Sequence, residues 1–378
     1  MPLPHPELAA AWRSSRPAAE VAHIDSAARS RASHAVLEAV ARHAAAESRT
    51  GGYVAEAVAT PILEQGRADL AALLGTQPRA VHYAGSATAA LGQLLDSWQV
   101  PANAVAAVLP GEYGATLEAL ARHGIRTVQL PTDTTGRADA TALAEFFDRH
   151  RPDFVHLTLV SSHRGVRQPG GEIADACRTR DVPLVIDVAQ AIGQADCRLH
   201  AHASYGTSRK WLAGPRGVGF LAVNAHAAAA PWMRPAADAA ASCELAESHV
   251  AGRVGLAVAV AEHLTVGPDR IRERLAALGA LSRALLSRVA GWRVVEPDAA
   301  PVAITTVEPE AGLDPRAARE LLLRDHGVLC SACPTSRAPH ELTRPVLRFS
   351  PHVDTEEEDL QRVAAALTTV TGAMAPTG

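Results

Sequence analysis

Lysine is almost missing from this chain. Its 378 residues include 36 lysines and arginines, and Lys210 is the single lysine among them. Arginine can replace lysine in surface charges, salt bridges and phosphate contacts. However, its guanidinium does not lose a proton in proteins and cannot act as a nucleophilic amine. The remaining lysine is therefore a candidate for Schiff-base chemistry, and chance survival in an arginine-rich chain is the alternative.

Other features are also scarce. No run approaches the ~18 apolar residues that a membrane span needs, and residues 1–6 lack the basic and apolar regions of a signal peptide. Five cysteines are too few, and odd in number, for a disulfide framework. The net charge of −4 argues against a nucleic-acid-binding face. We therefore expect a cytoplasmic protein without membrane or nucleic-acid partners.

Short apolar runs alternate with helical stretches over the first 223 residues. The runs that predict strands are residues 81–83, 104–109, 127–130, 154–160, 184–188 and 218–223. Several of them are apolar without alternation, as expected for strands that are buried on both faces. The pattern predicts an α/β fold in which helices cover both sides of a mostly parallel sheet.

The last third of the chain has a different pattern. A helical stretch over residues 248–288 has a predicted break at Gly267-Pro268. After it, two or three strand candidates for each helix predict a smaller α+β domain. We therefore expect a Pro- and Ala-rich arm over residues 1–20, a large domain over residues 21–255 and a small domain over residues 256–378.

Three segments carry residue types suited to a phosphate-binding Schiff-base site. Lys210 follows Thr207 and Arg209, so a hydroxyl and a fixed cation accompany the amine. Asp187 ends an apolar run, where α/β sheets bind ligands, although a helix N-cap is the ordinary role of such a residue. Residues 83–91 combine a strand, a Gly/Ser turn and a helix start, which can bind phosphate through backbone amides. The three segments point to one site, and none identifies it alone.

Together these segments resemble the class V branch of the fold-type I pyridoxal-phosphate enzymes, which includes cysteine desulfurases and kynureninase. The resemblance runs from about His23 to His352, and within the branch it is closest to the C–S lyases of ergothioneine biosynthesis. The segments that carry it are residues 23–28 (His-Ile-Asp-Ser-Ala-Ala), 51–54 (Gly-Gly-Tyr-Val), 110–114 (Pro-Gly-Glu-Tyr-Gly), 162–165 (Ser-His-Arg-Gly), 208–211 (Ser-Arg-Lys-Trp), 251–255 (Ala-Gly-Arg-Val-Gly) and 347–353 (Leu-Arg-Phe-Ser-Pro-His-Val). The resemblance implies the fold of the fold-type I transferases and a homodimer.

The resemblance also implies roles for individual positions. Lys210 would form the Schiff base with pyridoxal 5′-phosphate, Asp187 would pair with the pyridinium nitrogen, and Gln190 would contact the ring oxygen. Tyr113 would stack on the cofactor ring, and the planar fork of Arg348 would bind the substrate α-carboxylate. The residues that would hold the phosphate are Ser86, Ala87, Thr88, Thr207 and Arg209.

Three positions depart from the wider class V pattern. Ser162 stands where many members have asparagine, and Arg209 stands where desulfurases usually have histidine. Glu247 falls where a threonine of the partner subunit often reaches the phosphate, which a carboxylate would repel. All three departures fit the C–S lyases better than the desulfurases. Glu247 and Tyr53 are candidates for binding a cationic part of the substrate, and His163 is a candidate for another substrate contact.

The resemblance therefore implies a β-eliminating C–S lyase that cleaves hercynylcysteine S-oxide to a sulfenate, pyruvate and ammonia, with Lys210 as the base at Cα. Two alternatives stay open. The first is a cysteine desulfurase that uses Cys333 or Cys330, because both lie in the region where desulfurases carry their persulfide cysteine. A non-catalytic protein of the same fold is the other alternative, and the retained lysine argues against it. His200 and His202 lack the further ligands of a closed metal site, so no metal is expected.

Overall fold

The computed structural model describes residues 3–224, 232, 244–245, 247–297, 300–310 and 312–374. The strands, in chain order, are β1 (Ala22–His23), β2 (Val81–Ala84), β3 (Val105–Val108), β4 (Arg126–Gln129), β5 (Phe154–Thr158), β6 (Leu184–Asp187), β7 (Ala203–Thr207), β8 (Gly219–Val223), β9 (Trp292–Val294), β10 (Thr305–Pro309), β11 (Val328–Leu329), β12 (Ser331–Cys333) and β13 (Val346–Phe349). The α-helices are α1 (Pro6–Ser14), α2 (His34–Thr50), α3 (Gly52–Leu74), α4 (Ala87–Ser97), α5 (Gly114–Arg122), α6 (Leu143–His150), α7 (Gly170–Thr179), α8 (Val250–Val266), α9 (Pro268–Leu286), α10 (Pro315–His326) and α11 (Glu357–Met374).

A seven-stranded sheet has the strand order β2-β8-β7-β6-β5-β3-β4. Strands β3 to β7 are parallel to one another, whereas β8 is antiparallel to both β7 and β2. All six predicted runs form strands of this sheet. Val185 and Ile186 are successive residues of β6, so their side chains point to opposite faces of the sheet. Each belongs to a different buried apolar cluster, which shows that both faces are covered. The prediction of a mostly parallel, doubly covered sheet is confirmed.

Strand β7 was not predicted, although every residue of it is buried. Its sequence, Ala-Ser-Tyr-Gly-Thr, contains mainly small and polar residues and therefore has no apolar run. The ring of Phe220 on the neighbouring strand lies against Gly206, where an added Cβ would come within 2.5 Å of the ring. The large residue of β8 thus supplies the apolar contact that the sequence of β7 lacks.

The second sheet, with the order β12-β13-β10-β9, is antiparallel, and helices α9, α10 and α11 pack beside it. The predicted helix break is confirmed, since Gly267 has a φ of 99° between α8 and α9. Within the described residues, no single helix is both long and apolar enough to cross a membrane. The pair α8 and α9 would meet that criterion only together, and it is bent by 85°.

The expected boundary at residue 255 lies inside α8, which runs without interruption from Val250 to Val266. The helix packs against α2 and α3, and its buried residues extend from Val250 to His263, across the expected boundary. The expected arm contains α1, whose Trp12 is buried and stacks on His352 at 5.0 Å between ring centroids. β1 then pairs with β11, so this end of the chain is joined to the C-terminal part. The division into three parts stays a prediction.

Candidate active site

The carboxyl ends of three adjacent parallel strands open into one cavity. Thr158, Asp187 and Thr207 end β5, β6 and β7, and all three line it. The cavity encloses about 850 Å³ when its open mouth is counted. It brings together every residue predicted to bind the cofactor, namely Ser86, Ala87, Thr88, Tyr113, Asp187, Gln190, Thr207, Arg209 and Lys210.

One end of the cavity is suited to a phosphate group. Helix α4 begins there, and the Ser86 hydroxyl caps it by accepting a hydrogen bond from the Ala89 amide at 3.0 Å. The first-turn amides of a helix have no partner within the helix and favour anions. Gly219 of β8 lies against this turn, and a Cβ at that position would come within 2.7 Å of the Ser86 carbonyl carbon. The close approach of β8 therefore depends on glycine.

Lys210 and Asp187 line the same cavity, with Asp187 buried and Lys210 partly exposed. Burial lowers the pKa of Lys210 to about 7, and the negative charge of Asp187 opposes that shift. Burial raises the pKa of Asp187, and the positive charge of Lys210 opposes it. One Asp187 oxygen accepts a hydrogen bond from the Ala189 amide at 2.6 Å. The lowered pKa increases the neutral fraction of the Lys210 amine, which is the form that acts as a nucleophile.

The remaining polar groups of the wall test whether a phosphorylated pyridine ring would fit. The Ser162 hydroxyl lines the cavity and is buried without a hydrogen-bond partner among the described residues. Gln190 donates a hydrogen bond to the Ala27 carbonyl at 2.9 Å and accepts one from the Trp211 indole at 2.9 Å. The start of α4 suits the phosphate, and the buried Asp187 carboxylate and the unsatisfied Ser162 hydroxyl suit the polar atoms of such a ring. Gln190, by contrast, is already held by the protein on both sides of its amide.

A buried polar network lies behind Asp187 and was missed from the sequence. His156 contacts the Glu112 carboxylate at 3.0 Å and the Tyr205 hydroxyl at 2.7 Å. Thr158 and Tyr205 flank Asp187 in the strand register. Burial would lower the pKa of His156, but the adjacent Glu112 charge outweighs this and raises it. The available signal was one histidine within an otherwise apolar run.

Arg348 and His163 lie behind the cavity wall. Arg348 is fully buried, donates to the Ser162 carbonyl and to the Ser331 hydroxyl, and lies 3.5 Å from an Asp25 oxygen. The His163 ring is also buried, 3.1 Å from a carboxylate oxygen of Glu341. Burial, together with nearby arginine charges, lowers the pKa of His163 to about 3, so its imidazole is neutral. Their substrate-binding roles stay predictions.

Tyr53 and Glu247 do not line this cavity. The Tyr53 side chain is 84 % exposed on α3. Glu247 lines a separate small cavity together with Gly85 and Gly217. Within a single chain, neither side chain is brought to Lys210, so a substrate contact by either would need a second subunit.

Neither cysteine of the Cys-x-x-C pair lines the cavity. Cys330 is 1 % exposed and Cys333 is fully buried. Burial raises the pKa of Cys330 far above its ordinary value, which suppresses the thiolate. The geometry therefore disfavours these thiols as sulfur acceptors.

The sequence and the fold were compared with known proteins. Residues 22–363 match the family model described as aminotransferase class V. A probable hercynylcysteine sulfoxide lyase of Mycobacterium tuberculosis (strain CDC 1551 / Oshkosh) is 46 % identical over 97 % of this chain and 94 % of that protein. An isopenicillin N epimerase of Amycolatopsis lactamdurans is 29 % identical over 81 % of this chain and 84 % of its own.

Solved structures share the fold at lower identity. A cysteine desulfurase from Thermococcus onnurineus NA1 superposes with a TM-score of 0.84 at 18 % identity, over 98 % of this chain and 99 % of the other. Similarity at that level shows the fold alone. The family match covers nearly the whole chain and includes every element that builds the Lys210 cavity. The resemblance inferred from the sequence is confirmed, and the chain belongs to the aminotransferase class V family.

Proposed function

We propose that the protein is a pyridoxal-phosphate-dependent lyase that cleaves the Cβ–S bond of hercynylcysteine S-oxide by β-elimination. The observation that carries this proposal is the single lysine, which has a lowered pKa and shares one cavity with Asp187 and the start of α4. The substrate is supported by the similarity to the mycobacterial relative over almost the entire chain. The departures from the desulfurase pattern at Ser162 and Arg209 point the same way.

The chain's own residues would supply binding, charge and proton transfer. Bound pyridoxal phosphate provides an electron sink for the charge that develops at Cα. The start of α4, with Arg209, holds the phosphate, and the Asp187 carboxylate stabilises a proton on the ring nitrogen. The Lys210 amine removes the proton from Cα. The Cβ–S bond then breaks, and its electron pair leaves with the sulfenate.

We also propose that the protein acts in the cytoplasm as a homodimer. Val54, Val58 and Ile62 recur at helical spacing on α3, and all are exposed, together with Tyr53. Such an apolar stripe on a surface is typical of an interface, and a second copy would cover it. A dimer would also offer Tyr53 a route to the partner's cavity. The molar mass in solution, measured by light scattering, tests the assembly.

The reaction can be tested by offering three substrates to one preparation. We expect hercynylcysteine S-oxide to give pyruvate in an amount equal to the substrate consumed, whereas cysteine gives no sulfide and kynurenine gives no alanine. Alanine and sulfide from cysteine, with no pyruvate from either compound, would instead establish the desulfurase, because β-elimination of cysteine would release sulfide together with pyruvate.

The cysteine pair separates the two reactions at the residue level. A desulfurase transfers sulfur to a protein thiol, whereas a β-eliminating lyase needs only the cofactor and its lysine. We expect the Cys330→Ala/Cys333→Ala variant to form pyruvate from the sulfoxide at close to the wild-type rate. Cys177→Ala is the control for loss of a buried thiol, since Cys177 is also buried and distant from the cavity lining. A folded double variant that holds cofactor but forms no pyruvate would contradict the mechanism.

Arg348 is expected to capture the substrate α-carboxylate. Arg348→Lys keeps the charge but loses the two-pronged geometry, so kcat/KM for the sulfoxide should fall. The loss of a charged hydrogen bond, roughly 1.5–3 kcal/mol, corresponds to about 10- to 150-fold. Cofactor content, read from the visible absorption, should change little. Loss of cofactor at unchanged substrate affinity would show that Arg348 supports the Ser162 segment instead.

A further inference from the structure

We propose that Arg337 binds an anionic oxygen on the departing, sulfur-bearing half of the substrate. The inference rests on the proposed lyase function. It adds a contact on the opposite side of the scissile bond from Arg348. Nothing in the sequence distinguished Arg337 from the other arginines of the chain.

Arg337 ends a short 3₁₀ turn, Thr335–Arg337, and its side chain lines the cavity. Its guanidinium carbon lies 5.8 Å from the centroid of the Tyr113 ring. The Nε atom is buried and has no hydrogen-bond partner among the described residues. Within the same residues, no carboxylate lies at ion-pair distance from this guanidinium, and Glu341 pairs with Arg164 instead. Arg337 is thus a cation at the cavity with no anionic partner.

Among the residues that line the cavity, no carboxylate is available to neutralise Arg337. Asp187 is the sole carboxylate among the lining residues, against Lys210, Arg209 and Arg337. In the proposed reaction, Asp187 serves the ring nitrogen, and Arg209 serves the phosphate. A partly buried cation without a counter-charge is costly, and an arriving anion would remove that cost. The site is therefore built to receive one more negative oxygen.

The chemistry of the substrate indicates where that oxygen comes from. We have proposed that Arg348 binds the α-carboxylate, so the oxygen at Arg337 would belong to another part of a cysteine S-oxide. The sulfoxide oxygen already carries partial negative charge. When the Cβ–S bond breaks, its electron pair passes to the leaving group, which becomes a sulfenate. Arg337 would donate a hydrogen bond to this oxygen and transfer no proton. A carboxylate elsewhere on the same half would offer the same chemistry.

Three substrates distinguish these sources in Arg337→Gln. β-Chloroalanine releases chloride and has no oxygen on the departing half, S-methylcysteine S-oxide has the sulfoxide oxygen alone, and hercynylcysteine S-oxide has a carboxylate as well. We expect kcat/KM to stay within about twofold of wild type for β-chloroalanine. For both sulfoxides it should fall by roughly 10-fold or more, as for other charged hydrogen bonds. A loss confined to hercynylcysteine S-oxide would also support the proposal and would identify the carboxylate as the oxygen bound.

Arg344→Gln is the matched control, because Arg344 lies in the same connection, is exposed and contacts only the Pro309 carbonyl among the described partners. It should leave all three substrates unchanged. A second readout is inhibition by methanesulfinate, a stable anion similar to a sulfenate. Its inhibition constant should rise in Arg337→Gln and not in Arg344→Gln, while the visible band of bound cofactor is unchanged in both.

Two results would overturn the assignment. An equal loss for all three substrates would place Arg337 at the cofactor or at the α-carboxylate. No loss for any of them would remove it from the reaction. Failure of the lyase proposal has a different signature: the wild-type enzyme would then form pyruvate from β-chloroalanine but from neither sulfoxide.

Discussion

Lys210→Arg should abolish turnover and the visible absorption of the lysine-bound cofactor, although it keeps the positive charge. Arginine cannot supply a neutral amine, because its guanidinium remains protonated in proteins. Arginine is also larger than lysine and would enter a position that is only partly exposed. Rates of pyruvate formation should fall to background. Absorption spectra of variant and wild type, recorded at equal cofactor concentrations, check the result.

The scarcity of lysine makes the companion experiment unusually clear. Borohydride treatment of the wild-type protein should fix the cofactor covalently to one peptide, and the chain has no other lysine side chain that could carry it. The rate of cofactor attachment should rise with pH through about 7, since burial lowers the pKa of Lys210 to about that value and the neutral amine is the reactive form. A Lys210→Arg enzyme that still turned over would remove the basis of the proposed function.

Asp187→Asn should have the second largest effect. The amide has nearly the same shape and can still accept the hydrogen bond that Ala189 donates, but it cannot hold a positive charge on the ring nitrogen. Loss of one preorganised electrostatic contact at a reacting centre costs roughly 10²–10³-fold in kcat. Steady-state pyruvate formation measures this loss. Cofactor should remain bound through the phosphate end of the cavity.

A second measurement separates an electrostatic role of Asp187 from a structural one. The Asp187 charge raises the pKa of Lys210, so its removal should lower that pKa below about 7. The pH midpoint of cofactor attachment should therefore move downward in Asp187→Asn. Asp196→Asn, which removes a surface carboxylate paired with Arg198, should leave the midpoint in place. An unchanged midpoint in Asp187→Asn would mean that Asp187 acts as a turn residue only.

The sequence by itself determined the sheet and most of the cofactor cavity. Apolar runs predicted six strands of the large sheet, and runs without alternation, such as that of β6, marked strands that are buried on both faces. The count of lysines singled out Lys210, and the position of Asp187 at the end of such a run placed it at the binding edge. These features could be predicted because each depends on local composition or on the rule that ligands bind at the carboxyl ends of parallel strands.

Only the tertiary structure decided which polar residues face the cavity. The Phe220 ring of the neighbouring strand packs against Gly206 of β7, a contact that the residues of β7 do not encode. Arg337 lies at the cavity with no carboxylate at ion-pair distance among the described residues, which its sequence context does not reveal. Tyr53 and Glu247 were proposed from motif position, yet both lie away from Lys210 in one chain. Burial and charge pairing come from contacts between residues that are distant in the sequence. These contacts lower the pKa of Lys210 and determine whether Arg337 has a carboxylate beside it.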